Sequence, residues 1–415
     1  MFAEPQATLA EWRQRIALLL GALGREVDLL RGELEAPGLR ALTRERLERL
    51  SAAYADQAKR LEILLAPLGS AGTAPRQETL LALRTRLPLE QGLTSYYANL
   101  HRDWSWGEEE NEASFALLAR ALGREPPGRT LVLGAGAGRL ARDLHERCGA
   151  ALTVAVDFNP LLLFVAREVL RGGSVELYEF PIAPRGPGDE ARLRNLCTSH
   201  PVDGNFFLIA ADALRTPFAP GGFETVVTPW FVDIVSEALP MLAARLNALL
   251  APGGRWVNFG SLAFSQGPQA QRFSLEETLE IVAETGFERP QPLEAQLPYM
   301  RSPASRHARV ETVLAWAVRR TSAAAPVAEH SVLPEWLLQS HVPVPALPEF
   351  RLRAASMRIH AFLLALIDGQ RTVADMARVL VEQRLMPTAD AEPAIRSFLA
   401  RLYEETRSDR PFTSA

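Results

Sequence analysis

The sequence predicts an α/β fold, a mostly parallel, doubly wound sheet set between helical regions at either end of the chain. Three observations predict it. Short β-rich runs alternate with helical stretches from residue 129 onward, a glycine-rich turn follows the first of those runs, and two long apolar seams of helical period come before them.

The first seam, Leu9, Trp12, Ile16, Leu19, Leu23, Val27, Leu30 and Leu34, repeats at three- and four-residue steps and stops at Pro37-Gly38. The second runs through Leu47, Leu50, Tyr54, Ala58, Leu61, Leu64 and Leu68. Together they predict an antiparallel helical hairpin within an N-terminal cap, residues 1–90, packed on its own chain. The strand runs follow at Thr130–Leu133, Leu152–Val156, Phe206–Ile209, Thr225–Val227, Arg255–Phe259 and Thr312–Val318. They define a core over 91–320. Residues 171–205, rich in Pro and Gly, are longer than a routine connection and read as a lid or flap inserted between the second and third strands. Residues 321–349 read as a linker, with Pro343, Pro345 and Pro348 near its end. A small helical, winged-helix-like domain is expected over 350–415, where Thr372 caps a helix that begins at Val373.

Composition narrows the function classes. Of 415 residues, 45 are basic and 49 acidic, for a formal charge of −4, so no nucleic-acid or anionic-membrane partner is indicated. Lys59 is the one lysine, and the Arg-heavy texture reads as compositional drift. Two cysteines, Cys148 and Cys197, and seven scattered histidines give neither a disulfide framework nor a metal-ligand pattern, so no metal is expected. The apolar stretch Ile16–Leu23 is too short to span a bilayer and is flanked by charges, and a reducing cytoplasm is the expected setting.

The chemistry begins at Gly134-Ala135-Gly136-Ala137-Gly138, after the first strand and before a helix. Backbone can approach a ligand closely at Gly134 and Gly136, and Gly138 is read as permitting close packing. Asp157 ends the next strand about twenty residues on, where a carboxylate accepts both hydroxyls of a ribose. Ribose recognition fits NAD and S-adenosylmethionine (SAM) alike. Asp212, just after the third strand, suits an adenine amino group. With the Pro252-Gly253-Gly254 turn and an antiparallel-looking last strand, the pattern is similar to class I SAM-dependent methyltransferases and their Rossmann-like sheet. A hydride-transferring dehydrogenase is the alternative. The fourth strand runs out into Thr228-Pro229-Trp230-Phe231-Val232-Asp233, two aromatics and one acid at the edge where an acceptor would lie. Core packing for Trp230 and Phe231, and a helix N-cap role for Asp233, are the structural alternatives.

A closer resemblance spans roughly residues 90–320. It rests on Arg102-Asp103-Trp104-Ser105 with Gly107-Glu108, the glycine loop through Leu140, the long insertion, Asn205-Phe206-Phe207 leading to Asp212, the Thr228–Asp233 run, Trp256–Leu262 and Leu297-Pro298-Tyr299. These blocks, in this order, resemble the carnosine N-methyltransferase family. The resemblance implies that Arg102, with Asn99 where the family has Gln, holds the methionyl end of SAM. It further implies that Gly134, Gly136 and Gly138 border methionine and ribose, that Asp157 takes the ribose, Asp212 and Ala213 the adenine, and that Asp233 and Tyr299 face a small-molecule acceptor beside Trp230 and Phe231. Besides Asn99, three positions depart from the family: Ser265 stands where a His lies near the imidazole, Pro229 where the fourth-strand motif has Cys, and Asp157 where there is Glu. The donor site is expected to survive these changes, which bear on carnosine as the acceptor. The stretch Leu363–Ala377, with its Asp368-Gly369-Gln370-Arg371-Thr372 turn, is similar to the peptide-chaperone domain of pyrroloquinoline quinone biosynthesis. That likeness implies an alternative in which the tail recruits a ribosomal peptide for methylation.

Overall fold

Apolar residues at successive positions of each strand turn to opposite sides, and in this chain both sides are buried. The computed structural model describes residues 9–69, 93–265, 268–325, 334–408 and 412. They fall into two compact units, Met1–Glu329 with Pro411–Ala415, and His330–Arg410. The division lies inside the stretch read as a linker. The expected boundary near residue 90 falls outside the described residues.

In the first unit, α1 (Leu9–Leu34) and α2 (Ala41–Leu65) form the expected hairpin, closed by buried Leu19, Leu23, Val27 and Leu30 against Leu47, Tyr54, Leu61 and Leu65. The short helix α3 (Tyr97–His101) leads into a single π-helical turn, Arg102–Trp106, and then α4 (Glu108–Leu122). Such turns interrupt the regular ladder and redirect side chains, often at functional sites.

The sheet is built from β1 (Arg129–Leu133), β2 (Leu152–Asp157), β5 (Phe206–Ala210), β6 (Phe223–Pro229), β7 (Leu250–Gly260), β8 (Leu293–Tyr299) and β9 (Arg309–Arg319). Its order is β5-β2-β1-β6-β7-β9-β8, with β9 inserted antiparallel between β7 and β8 and the first five strands parallel. Along β1, Leu131 and Leu133 enter one core with Val226, Trp256 and Trp316, while Val132 enters the other with Ala155, Val227 and Val257. Helices α4 and α5 (Arg139–Arg147) cover the second face; α7 (Leu239–Leu249) and α8 (Leu275–Glu284) cover the first. Burial on both faces is what a parallel sheet demands. It also places the carboxyl ends of β1, β2, β5, β6 and β7 along one edge.

The segment read as a lid has more structure than a flap. After α6 (Pro160–Leu170), β3 (Ser174–Glu179) and β4 (Arg192–Cys197) pair antiparallel as a separate two-stranded sheet. Leu177 and Leu196 are fully buried with α2 and α6, which is why this Pro- and Gly-rich stretch is not left open. Gln57 of α2 adds a polar tie: its amide donates to the Tyr97 hydroxyl at 2.8 Å and its carbonyl accepts from the Tyr178 amide at 2.9 Å. The β3–β4 connection reaches the loop after β8, where Arg185 N donates to Ala304 O and Arg306 N to Ala183 O.

The second unit carries α9 (Glu335–Leu338), α10 (Pro348–Ala365), α11 (Val373–Glu382) and α12 (Thr388–Ser408). Leu363, Leu366, Met376, Leu380 and Ile395 close its core. Thr372 caps α11 in a reciprocal box with Asp375, as its sequence predicts. Among the described residues this unit is helical and holds no strand.

Candidate active site

The loop expected to face the donor is made largely by backbone. Gly134 and Gly136 adopt φ of 71° and 56°, values that L side chains resist, and the loop they form turns back so that Gly134 N and Ala135 N both donate to Val156 O on β2. Gly134 cannot carry a side chain for a second reason: a Cβ there would lie 2.7 Å from the Phe231 ring. A Cβ at Gly136 would meet nothing within 4 Å, so the loop presents an open face there. Gly138 differs from the expectation of close packing. Its nearest neighbours would be in ordinary contact, and its φ of 82° at the start of α5 is what calls for glycine.

Asp157 is bound into this loop. One carboxylate oxygen accepts Gly136 N at 2.8 Å and the other accepts Asn159 N at 2.8 Å. Burial pushes its pKa up to about 6, against the pull of these backbone N–H groups. Each oxygen can accept more than one hydrogen bond, so a diol fits beside these amides. Asp212 follows β5 and caps the short turn Ala213–Arg215, with Oδ1 accepting Leu214 N. Asp212 is half-buried and Ala213 buried.

Asn99 and Arg102 stand three residues apart, on α3 and the first position of the π turn. Arg102 is enclosed by acids: Nε and Nη2 both lie 2.7 Å from Asp103 Oδ1, and Nη1 lies 3.5 Å from Glu110 Oε1. Burial works against its charge, but Asp103, Glu110 and Tyr299 more than offset that and raise its pKa. Asp103 enters the sequence reading only as part of the Arg102–Ser105 block, without a role, and Glu110 does not enter it. Their signal is only a pair of carboxylates one and eight positions after the arginine.

The acceptor edge is built differently. Pro229 ends β6, buried and paired with Phe259, and has no N–H to give. Trp230 takes over, donating to Phe259 O at 2.6 Å, and it does so at φ 49°, a strained value for a bulky residue. Its ring meets Phe259 edge-on at 5.8 Å and Tyr299 at 5.0 Å between centroids. Gly260, at the end of β7, leaves room for this corner; a Cβ there would lie 3.0 Å from Trp230 N and Cα. Phe231 turns the other way, buried beneath Gly134 in the core with Leu131 and Leu133.

Asp233 is 5% exposed, and its Oδ2 accepts both Ser261 Oγ at 2.6 Å and Ala263 N at 2.8 Å. It caps no helix, since α7 begins at Leu239 behind Ala238. Tyr299, at the end of β8, is half-buried with the Arg309 guanidinium 4.7 Å above its ring. Ser265 is exposed on the loop after β7. The structure thus gathers Trp230, Asp233 and Tyr299 around the ends of β6, β7 and β8, while Phe231 supports the glycine loop. Ser261 and the Ala263 amide are partners of Asp233 that residue type alone did not single out.

The carnosine N-methyltransferase family profile matches residues 89–322, more than half of the chain. The chain belongs to the carnosine N-methyltransferase family. A carnosine N-methyltransferase of Drosophila melanogaster, unmet, is 27% identical over 179 residues, covering 38% of this chain and 38% of that protein. The match therefore spans well under half the length of this relative. Among solved structures, similarity extends to the Burkholderia thailandensis 1,6-didemethyltoxoflavin-N1-methyltransferase at 21% identity, over 61% of this chain and 93% of that one, with a TM-score of 0.34. The Haemonchus contortus phosphoethanolamine N-methyltransferase 2 is 19% identical over 49% of this chain and 46% of that one, with a TM-score of 0.33. No helix among the described residues is long and apolar enough to cross a membrane.

Proposed function

We propose that the chain methylates a ring nitrogen of a small imidazole-bearing amino acid or dipeptide, the chemical class to which carnosine belongs. The observation that carries this reading is Asp233, a buried carboxylate with one oxygen engaged by Ser261 and Ala263, at the strand edge that also presents Trp230 and Tyr299.

When bound, SAM supplies a methyl group activated by a positively charged sulfur. The residues that would hold it are Asn99 and Arg102 at the methionyl end, the Gly134–Gly138 loop with Pro229 along its length, Asp157 at the ribose, and Asp212 with Ala213 at the adenine. Buried Asp157 beside the open face of Gly136 fits a ribose diol, because ionised oxygens accept hydroxyl donors well. On the other side, an imidazole with a pKa of about 6.5 is largely neutral near pH 7 and needs no strong base. Asp233 accepts the ring N–H, which fixes the tautomer and turns the second ring nitrogen toward the donor. It also stabilises the positive charge that grows on the ring, a task for a preorganised carboxylate in a buried site. Trp230 and Tyr299 position the ring and exclude water. Ser265, in place of the family's histidine, removes one imidazole contact, so preference among imidazole acceptors is expected to differ from that for carnosine.

Incubation with isotopically labelled SAM and a panel of carnosine, histidine and histamine, read by mass shift, tests the proposal. A labelled ring nitrogen on at least one of them is expected. Folded protein that gives no calorimetric heat with SAM or S-adenosylhomocysteine (SAH) overturns the donor reading, and labelling confined to acceptors without an imidazole overturns the acceptor reading.

A second reading, peptide recruitment by residues 350–410, is favoured by one observation: α10 leaves Leu352, Met357 and Ile359 at least half exposed. Saturable binding of a peptide to the full chain, lost on Leu352→Asp, is its expected signature.

A further inference from the structure

Among the buried carboxylates that the proposed roles leave unused, Glu110 touches both the Arg102 guanidinium and the end of β8. Glu110, on the first turn of α4, is 5% exposed. Oε1 faces Arg102 Nη1 at 3.5 Å, and Oε2 accepts the Met300 amide at 2.8 Å. Met300 directly follows Tyr299 and sits at φ 55°, so the end of β8 turns through a strained backbone held by this single carboxylate. Burial raises the Glu110 pKa, opposed by Arg102 and the Met300 amide, so its charge depends on the groups it joins.

The geometry of a guanidinium sharpens the point. It offers two two-pronged edges, Nε with Nη2 and Nη1 with Nη2. Asp103 takes the first edge. The second is the one that remains for a ligand carboxylate, and Glu110 stands beside its Nη1 end.

We propose that Glu110 is a positioning residue which sets the Nη1–Nη2 edge of Arg102 for the donor's carboxylate and, through the Met300 amide, fixes Tyr299 on the acceptor side. One carboxylate then couples the two halves of the site, and a change at either is felt at the other. This rests on Arg102 reading the donor's methionyl carboxylate.

Two probes separate that premise from the role of Glu110. SAH carries the amino-acid end, whereas 5′-methylthioadenosine carries the nucleoside without it. Calorimetry on wild type, Arg102→Ala, Glu110→Ala and Glu110→Gln is combined with hydrogen exchange at the Met300 amide, with melting curves confirming the fold. Glu110→Ala is expected to weaken SAH about tenfold while leaving methylthioadenosine within about twofold, the size of one lost charge-assisted contact. It should also expose the Met300 amide to exchange. Glu110→Gln keeps an acceptor for that amide and should retain its protection while still losing SAH affinity. In wild type, SAH should slow exchange at Met300, and in Glu110→Ala it should not.

Arg102→Ala that leaves SAH affinity unchanged overturns the premise and the proposal with it. Arg102→Ala that weakens SAH while Glu110→Ala does not overturns the role of Glu110 alone. Equal losses for both probes in Glu110→Ala mark a merely structural residue and also overturn it.

Discussion

The glycine loop, proposed to hold the donor, and the Trp230 corner, proposed to hold the acceptor, lie at one edge of the same sheet, yet they are made from different materials. On the donor side, glycines at positive φ let the backbone turn, and the hydrogen-bond partners are mostly backbone: Val156 O for Gly134 and Ala135, and the Gly136 and Asn159 amides for Asp157. At the Trp230 corner, bulky residues occupy the left-handed region at Trp230 and Met300, and the partners are side chains and amides from the loops after β6 and β7 and from α4. Glycines reach positive φ without steric strain, and their cost is the conformational entropy lost on ordering. Strained aromatic and aliphatic residues cost about 1–3 kcal/mol each and persist only where neighbours over-determine them. On the proposed reading a backbone cradle would serve a common donor, while the strained corner at Trp230 and Met300 would carry the specificity.

The largest effect expected from this division falls on Asp233. Asp233→Asn keeps the size and the acceptor oxygen but removes the charge, and turnover on an imidazole acceptor should fall by about 10²–10³-fold, the range for loss of one preorganised stabilising group. Calorimetric SAH affinity should stay within about twofold, since no donor group is touched. A matching loss of SAH affinity would merge the two regions and break the comparison.

A pair of glycine substitutions sharpens it. Gly134→Ala forces a Cβ to within 2.7 Å of Phe231 at φ 71°, and Gly260→Ala forces one to 3.0 Å from the Trp230 backbone at φ 150°. Each is expected to cost about 1–3 kcal/mol locally. The first should weaken SAH binding by about tenfold or more with the acceptor corner intact. The second should lower kcat/KM for the acceptor to a similar degree while SAH affinity holds. Isothermal titration and steady-state kinetics on the two variants decide it, and a crossed pattern would refute the assignment of the two loops.

The same contrast explains what the sequence made legible. Strand alternation, the Gly134–Gly138 loop and Asp157 at the next strand end are local signals, and the parallel part of the sheet follows from them; the antiparallel insertion came with the methyltransferase resemblance, and the edge strand β8 was not among the runs read as strands. The helical hairpin was equally plain from its seams. The acceptor side depends on contacts between positions distant in the chain. Ser261 meets Asp233 across 28 residues, and Glu110 meets Met300 across 190. A single sequence carries no periodicity that announces such pairs. The β3–β4 hairpin was hidden for another reason: its proline- and glycine-rich connection masked two short alternating strands whose burial is supplied by α2 and α6.

The smallest expected effect is one of pH, and its sign distinguishes binding from stability. With Asp157 pushed up to about 6, lowering the pH from 7 to 5 protonates a carboxylate whose charged form accepts the ribose hydroxyls. SAH affinity should therefore fall by about tenfold across that range, and Asp157→Asn, weaker at pH 7, should show no such slope. Stability moves the other way for this group. Its folded pKa lies above the ordinary carboxylate value, so the ligand-free protein binds the proton more tightly than the unfolded chain and gains stability as pH falls through 6. His101 opposes this in an overlapping window. Burial, aided by the Arg194 charge, holds its pKa down at about 3, so below the ordinary histidine value the unfolded chain takes the proton first and stability is lost. Melting temperature is then a poor reporter, because the two groups work against each other between pH 6.5 and 4, whereas affinity isolates Asp157. A flat SAH affinity from pH 7 to 5 would show that Asp157 is not the group gripping the donor, and would leave the glycine loop as the whole of that side.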